Sequence, residues 1–212
     1  MQVLSVSALR IDAIKVIRFR RFQDDRGYFS ETFRAGSVAG NEDLAFLGGT
    51  PFAQHNESLS RAGTIRGLHF QWSPHMGKLV RAISGRMVDV VLDIRIGSPS
   101  FGRALMYDMP AADETDFGEW IWVPPGFAHG NFFTEPTRIE YLCTGEYSPK
   151  TEAGISPLAS DIDWSLCDPD LKRVFDGLAA GSPLISEKDR DAPSLQDWAR
   201  DERAANFTYG PL

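Results

Sequence analysis

The chain has 212 residues, of which 42% are hydrophobic and 24% charged, and its formal net charge at pH 7 is −7. A chain of this length and composition can bury a full hydrophobic core, so disorder is excluded and one domain over residues 1–212 is expected. The acidic balance, with no dominant run of Lys or Arg, excludes a general nucleic-acid surface. No run of 18 apolar residues predicts a membrane span.

The cysteines and the first residues indicate the compartment. Cys143 and Cys167 are the two cysteines, and they form no Cys-x-x-Cys pair, so neither a disulfide scaffold nor a structural zinc site is expected. The first residues lack the charged region and continuous apolar region of a signal peptide. We therefore expect a cytoplasmic protein with no membrane partner.

Most of the chain is predicted to form short β-strands. Runs rich in β-branched and aromatic residues recur, and Gly, Pro, Asp or Ser bounds each of them. This regular spacing of turn residues is typical of an all-β jelly roll. The predicted strands are residues 13–19, 28–33, 52–56, 64–70, 78–83, 87–94, 104–107, 120–123 and 138–144. In the run 87–94, Val88, Val90, Leu92 and Ile94 share one face, which predicts a strand packed in a sandwich or barrel.

The last part of the chain is predicted to be helical. Residues 168–178 and 194–203 form the two candidate helices, and the second begins with Ser194 as a possible N-cap and Asp197 three residues later. We expect a barrel over about residues 10–165, with residues 166–212 packed on it as part of the same domain.

Three segments place chemically active side chains on short strand-like runs. Residues 66–71 and 77–80 contain Arg66, His69 and Lys78, and residues 124–130 contain His129. Two of the four histidines, a lysine and an arginine therefore lie on strands that form the inner wall of a small barrel. A neutral-to-cationic cluster in an apolar pocket suits chemistry that passes through an enolate.

Nine short motifs follow one another along the chain. They are residues 25–31, 54–56, 66–71, 93–95, 97–99, 100–102, 125–130, 140–149 and 186–189. In this order they resemble the dTDP-4-dehydrorhamnose 3,5-epimerase family of cupins over about residues 10–195. The resemblance implies a double-stranded β-helix, or jelly-roll cupin barrel, with a few peripheral and C-terminal helices.

The metal-binding motif of cupins is incomplete in this chain. Gly118, Pro124, Gly126 and His129 match the second cupin motif, but His69 and Gln71 stand where metal-binding cupins carry His-x-His. A transition metal needs about three or four protein ligands. The sequence therefore predicts no metal. With no glycine-rich dinucleotide fingerprint either, we expect no cofactor.

The resemblance implies an acid/base mechanism on a nucleotide-linked 4-keto-6-deoxyhexose. Removing a hydrogen at C3 or C5 gives an enolate, and inversion requires a base on one face and an acid on the other. His69 is the implied base and Asp189 its orienting partner. Tyr141 is the implied acid, and Lys78 is expected to stabilise the enolate oxygen.

The resemblance also implies how the nucleotide diphosphate is held. Arg26 and Arg66 are expected to contact phosphate, Gln54 and Asn56 to bind sugar or phosphate, and Phe29 and Glu31 to hold the base. The family often lends the strand carrying residues 26–31 to a neighbouring subunit, so a homodimer with strand exchange is expected. The remaining predicted binding residues are His129, Glu152 and Lys188.

Departures from the family pattern leave three other interpretations open. Met76, Asn131, Phe132 and Glu140 differ from the usual residues, and the chain continues through residues 206–210. One alternative is an epimerase that inverts a single centre, C3 or C5, on another nucleotide sugar. The others are a 3,4-keto-isomerase and a non-catalytic sugar-binding cupin, because a fold alone does not dictate function.

Overall fold

A computed structural model describes residues 1–47 and 51–210. The described strands form two large antiparallel sheets and one small hairpin. In chain order they are β1 (Val3–Ala8), β2 (Lys15–Arg20), β3 (Phe22–Asp24), β4 (Gly27–Phe29), β5 (Gln54–Ser60), β6 (Thr64–Gln71), β7 (Lys78–Ser84), β8 (Arg86–Asp93), β9 (Ala104–Pro110), β10 (Phe117–Val123), β11 (Phe127–Phe133), β12 (Thr137–Cys143) and β13 (Glu152–Gly154). The helices are α1 (Ala35–Ala39), α2 (Pro169–Gly181), α3 (Glu187–Arg190) and α4 (Leu195–Arg200), with 3₁₀ turns at Glu42–Leu47 and Glu202–Asn206.

The two large sheets pack face to face as a jelly roll. One has the strand order β1-β2-β10-β7-β12-β5 and the other β13-β6-β11-β8-β9, so many spatial neighbours are distant in the chain. Val80, Val123 and Ile139 from the first sheet pack against Met87 and Val91 from the second. The predicted all-β jelly roll with few helices is therefore confirmed.

Strand β8 is buried on both faces. Val91 points into the core between the sheets, whereas Val90 and Leu92 pack on the opposite side with Phe175 of α2 and Trp198 of α4. The apolar face that the sequence identified is therefore covered by the C-terminal helices, and the intervening residues of β8 face the inside of the barrel.

The C-terminal helices begin at the predicted caps. The Asp168 side chain accepts hydrogen bonds from the first turn of α2, and Ser194 and Asp197 form a reciprocal capping box at α4. The single helix predicted for residues 194–203 is wrong in its extent. Helix α4 ends at Arg200 because Asp201 adopts an extended conformation, and a 3₁₀ turn follows.

The sequence patterns placed His129 on a strand-like run but gave no bounds for strand β11, which lies in the middle of its sheet. All seven of its residues are buried, so the polar/apolar alternation of a half-buried strand is absent. Gly130 lets β11 approach β6 closely, because a Cβ there would collide with the carbonyl oxygen of Arg66. Strands β1, β3 and β13 were missed, and the strand predicted at 28–33 is shorter, ending at Phe29.

Among the described residues, no helix is both long and apolar enough to cross a membrane.

Residues near the C-terminus secure strand β6 from outside the barrel. Phe207 is fully buried, and its ring centre lies 5.7 Å from that of Phe70 on β6. The ring centres of Trp198 and Phe70 are 4.6 Å apart. The contacts support the prediction that the segment after residue 165 belongs to the same unit as the barrel.

Replacing Phe207 with Ala should therefore destabilise the fold. Removal of a fully buried aromatic ring costs about 3–5 kcal/mol of unfolding free energy, because packing is lost and a cavity remains. Denaturant unfolding measures the change. Tyr209→Ala is the control, because Tyr209 is 53% exposed, and it should cost about 1 kcal/mol or less. Equal, small effects of both substitutions would contradict the conclusion that Phe207 stabilises the fold by packing against β6.

Candidate active site

The candidate site is a pair of adjoining cavities between the two sheets, of about 250 Å³ and 210 Å³. Three residues, His69, Lys78 and Tyr141, line both cavities. His69 comes from β6 of one sheet, and Lys78 on β7 and Tyr141 on β12 come from the other. The residues that the sequence assigned to catalysis are thus brought together from both walls of the barrel.

His69 is paired with a buried carboxylate. Its Nε2 lies 2.8 Å from Oδ1 of Asp189 on α3, and the second oxygen of Asp189 accepts a hydrogen bond from the Gly67 backbone at 3.1 Å. Ser186 caps α3 by accepting from the Asp189 amide. Burial alone would raise the pKa of Asp189, but the hydrogen bonds from His69, Gly67 and Ser186 outweigh it and the pKa is lowered. Asp189 therefore stays a carboxylate at neutral pH.

This pair decides which nitrogen of His69 is free to accept a proton. A carboxylate can only accept, so in the neutral ring Nε2 carries the hydrogen that Asp189 binds. Nδ1 is then the nitrogen with a free lone pair. Proton uptake at Nδ1 makes an imidazolium that the Asp189 carboxylate stabilises.

Lys78 and Tyr141 occupy the opposite wall. Lys78 pairs across the sheet with Cys143, which is two residues from Tyr141 on β12, so all three side chains share one face. Burial lowers the pKa of Lys78, although Cys143, Glu152 and Asp89 act in the other direction. Burial also raises the pKa of Tyr141. Tyr141 is therefore a neutral phenol that can donate a proton, and Lys78 is a poorly solvated amine that can stabilise a nearby anion.

A second histidine and carboxylate lie deeper in the barrel. His129 Nε2 is 2.7 Å from Asp89 Oδ1, and the Asn131 side-chain amide donates to the same oxygen at 2.9 Å. Asp89 is fully buried. Among the described residues its second oxygen, Oδ2, has no hydrogen-bond partner. His129 and Asn131 line the larger cavity, and Asp89 supports both.

Six of the predicted binding residues surround the cavities. Gln54 and Asn56 are hydrogen-bonded to each other at 2.9 Å, and with Glu152 they line the smaller cavity. Lys188 pairs with Glu152 at 2.6 Å and lines a neighbouring groove of about 570 Å³. The glutamate and its hydrogen bond raise the pKa of Lys188. Arg66 and His129 complete the six by lining the larger cavity.

Three predicted binding residues do not reach the cavities within one chain. Arg26 and Phe29 lie on the β3–β4 hairpin, where Arg26 pairs with Asp24 at 2.6 Å and Phe29 is 67% exposed. Glu31 binds the terminal amino group of Met1 at 2.9 Å. Their assignment to the site stays a prediction.

Sequence reasoning missed Asp89 and Cys143. The sequence did contain a signal for Asp89, because a carboxylate inside an otherwise apolar strand must have polar partners to be buried. Cys143 had none, because a lone cysteine on a strand does not reveal which side chains lie across from it.

Within residues 1–47 and 51–210, no group of three or more His, Cys, Asp or Glu side chains is arranged to hold a metal ion. The prediction of a metal-free and cofactor-free reaction stays a prediction.

The fold and the cavity define a class of protein. A jelly roll that sets an imidazole–carboxylate pair opposite a phenol, with an amine beside them, is an acid/base enzyme. The family model described as dTDP-4-dehydrorhamnose 3,5-epimerase matches residues 8–197. A relative with that description from Sinorhizobium fredii is 40% identical over 194 residues, covering 89% of this chain and 88% of its own length.

The chain belongs to the dTDP-4-dehydrorhamnose 3,5-epimerase family. It is similar to the structure of a dTDP-6-deoxy-D-glucose-3,5-epimerase from Legionella pneumophila in complex with dTDP-4-keto-L-rhamnose, with a TM-score of 0.79, 30% identity, and coverage of 98% of this chain and 99% of that one. It is also similar to a 3'-monoepimerase from Streptomyces bikiniensis in complex with dTDP-quinovose, with a TM-score of 0.73, 29% identity, and coverage of 91% and 89%. The predicted family and isomerase class are confirmed.

The lowered pKa of Asp189 predicts a pH-dependent contribution to stability. A carboxylate whose folded-state pKa lies below its ordinary value of 3.8 stabilises the fold above that value, and the contribution disappears as the pH falls through the folded-state pKa. The unfolding free energy of the wild-type protein should therefore exceed that of Asp189→Asn by more at about pH 6 than at about pH 2.5.

Denaturant unfolding at the two pH values provides the measurement. Asp191→Asn is the matched control, because Asp191 is exposed on the same segment. The difference in unfolding free energy between the wild-type protein and Asp191→Asn should change much less between the two pH values. A pH-independent difference for Asp189→Asn would mean that the carboxylate is not stabilised by its partners.

Proposed function

We propose that the chain epimerises a nucleotide-linked 4-keto-6-deoxyhexose of the dTDP-4-dehydro-6-deoxyglucose type, inverting C3, C5 or both. The observation that carries the proposal is the His69–Asp189 pair on one wall of the cavity and Tyr141 with Lys78 on the other. Two of the relatives described above were solved with dTDP-linked sugars. Such a substrate has acidic hydrogens on both sides of its C4 ketone, and their removal needs no redox step.

The first step removes a proton from C3 or C5. His69 Nδ1 takes the proton, Asp189 stabilises the imidazolium through Nε2, and the electron pair moves onto the C4 oxygen. Lys78 stabilises the resulting enolate, since a charge in a poorly solvated cavity acts more strongly than in water.

The second step returns a proton to the opposite face. Tyr141 keeps its phenolic hydrogen at neutral pH because burial raises its pKa, and so it can donate to the enolate carbon. The product has the inverted configuration, the C4 ketone is regenerated, and solvent exchange resets both side chains.

The diphosphate is held by cations at the rim of the site. Arg66 lines both the cavity and the adjoining groove, and Lys188 lines the groove beside Asp189. In a chain of net charge −7, these local cations provide the attraction that an anionic substrate needs. Gln54, Asn56 and Glu152 offer hydrogen bonds to the rest of the nucleotide sugar.

The protein is proposed to act as a homodimer in which the β3–β4 hairpin completes the neighbour's site. The hairpin presents Phe22, Tyr28 and Phe29 to solvent, together with Arg26. Exposed aromatic residues and an arginine are suited to an interface and to a nucleotide diphosphate. A reducing cytoplasmic location is also proposed, consistent with two free, buried cysteines.

Coexpression of two inactive variants tests the shared site. If Arg26 serves the partner subunit's cavity, dimers that combine His69→Asn with Arg26→Ala contain one site with both changes and one site with neither. Activity should then return to about one quarter of wild type for random pairing. A mixture no more active than its two components would place Arg26 in its own subunit's site, and an Arg26→Ala protein that is fully active alone would place Arg26 outside any site.

The central test of function is deuterium incorporation. The wild-type protein, incubated in D₂O and EDTA with dTDP-4-keto-6-deoxyglucose, should incorporate deuterium and form an inverted product, as followed by NMR. Label at C3, at C5 or at both distinguishes single-centre from double epimerisation. Absence of exchange would contradict the proposed function, and exchange restored only by added metal would contradict metal-free chemistry.

Replacing His69 with Asn should abolish exchange at every position. Loss of a general base typically costs about 10²–10⁴-fold in rate, whereas substrate binding should change by less than about tenfold. Exchange kinetics and calorimetric binding provide the two measurements. His55→Asn is the matched control, because His55 is exposed and pairs with Glu140, and it should leave exchange unchanged. Near-normal exchange in His69→Asn would make His69 structural.

Replacing Tyr141 with Phe should separate exchange from inversion. The enolate still forms, and the imidazolium returns a solvent-derived deuteron to the original face, so exchange persists while inversion falls strongly. Lys78→Met should slow both processes together because both pass through the same enolate. NMR provides both rates, with Tyr209→Phe and Lys150→Met as exposed controls. Equal loss of exchange in Tyr141→Phe and His69→Asn would refute the two-face assignment.

A further inference from the structure

The side chain of Asn131 lies inside the barrel, on the fully buried strand β11. Asn131 is buried, with 5% of its surface exposed, and it lines the larger cavity beside His129. It pairs across the sheet with Asp89 on β8 and donates its amide hydrogen to Asp89 Oδ1 at 2.9 Å. The cost of burying this amide is thus offset by a charge-assisted hydrogen bond.

Asp89 needs that donor. Its carboxylate is fully buried, and its two hydrogen-bond donors, His129 and Asn131, both bind Oδ1. Its other oxygen has no partner among the residues that the structure describes. Two donors on one oxygen hold the carboxylate plane in one orientation, whereas His129 alone would leave it free to rotate about its side-chain bond. A buried carboxylate that loses one of two donors loses both energy and orientation.

The orientation of Asp89 in turn sets the His129 ring. Because Asp89 accepts from Nε2, the neutral imidazole has its hydrogen on Nε2 and its free lone pair on Nδ1. Nδ1 is then the nitrogen left for a substrate in the cavity. In the other tautomer, with hydrogen on Nδ1, the Nε2 lone pair would face the carboxylate, which is repulsive.

We infer that Asn131 is a positioning residue of the active site, which fixes the Asp89 carboxylate and, through it, the tautomer and orientation of His129. The catalytic consequence rests on the proposed function, whereas the structural consequence does not. Asn131 itself is not assigned any bond to substrate.

The charged and titratable groups around this trio come from four other elements. Lys78 on β7 is close enough for Asp89 to affect its pKa. His69 and Arg66 come from β6, where His69 pairs with His129 and Arg66 with Asn131 across the sheet. The remaining two groups that line the cavity are Tyr141 on β12 and Asp189 on α3. The charge of each of these groups therefore contributes to the effect of a substitution at residue 131.

Two substitutions separate the hydrogen bond from the shape of the side chain. Asn131→Leu keeps a similar volume but removes the donor. Asn131→Asp keeps the shape and can donate to Asp89 only when it is protonated, because two neighbouring carboxyl groups share a proton at low pH and repel each other at high pH. The first variant tests loss of the bond, and the second tests its restoration by acid.

Nitrogen-15 NMR of the histidine rings, in the absence of substrate, gives the activity-independent measurement. Wild-type His129 should show one tautomer with hydrogen on Nε2. Asn131→Leu should show a mixture, and its kcat should fall about 10–100-fold with KM within about twofold, as expected for a positioning residue. The kcat of Asn131→Asp should approach that of the wild-type protein at about pH 5.5. By about pH 8 the variant should have lost its activity, whereas the wild-type protein should keep its kcat.

The outcomes distinguish three roles of Asn131, which are positioning of His129, direct binding of substrate, and no role in the site. An unchanged His129 spectrum and unchanged kcat in Asn131→Leu would overturn the inference. A rise in KM alone would also overturn it, because it would mean that Asn131 binds substrate directly. If Asn131→Leu does not fold, the pH dependence of Asn131→Asp decides, and a flat profile refutes the inference. If the wild-type protein does not exchange deuterium, the proposed function fails, but the ring spectra still test the positioning of His129.

Discussion

The hydrogen bond between His69 and Asp189 is the contact on which the site depends. It joins a strand of the barrel to a short helix 120 residues further along the chain. Backbone hydrogen bonds guide that helix to its place, because Leu184 pairs with Gly63 and Ile65 next to β6. Ser186 then caps the helix. The proposed base, His69, therefore has its carboxylate partner only when the C-terminal segment is docked.

The second constraint is that the jelly roll places side chains on opposite walls of the cavity. Side chains on β6 and β11 face side chains on β7 and β12 across the space between the sheets. In the proposed mechanism, a planar enolate between two such walls is reached from one face by His69 and from the other by Tyr141. Inversion of configuration needs this arrangement, and two residues on neighbouring strands of one sheet would not provide it.

The C-terminal helices explain how a polar site is supported inside a small barrel. Together with the segment that follows them, they cover the outer face of β8 and β6 with Phe175, Trp198 and Phe207, and strand β8 is buried on both faces. Asp89 can then stand on the inner face of β8 without access to solvent, where His129 and Asn131 are its partners. Trp198 and Phe207 lie beyond residues 8–197, the part that matches the family. The support of β6 in this chain thus uses residues outside the matched region.

The sequence by itself determined the fold class and the family, and it predicted the roles of His69, Lys78 and Tyr141, because the strand pattern and the motifs are local. It gave no bounds for β11, since a fully buried strand lacks alternation, and it did not find the Asp89–His129–Asn131 cluster, whose members lie up to 42 positions apart. It also named Arg26 as a site residue, whereas a single subunit leaves that side chain in solvent, paired with Asp24. Only the tertiary structure decided which carboxylate meets which histidine. Hydrogen bonds between distant strands depend on sheet register and on the docking of the C-terminal segment, and no short sequence pattern encodes either.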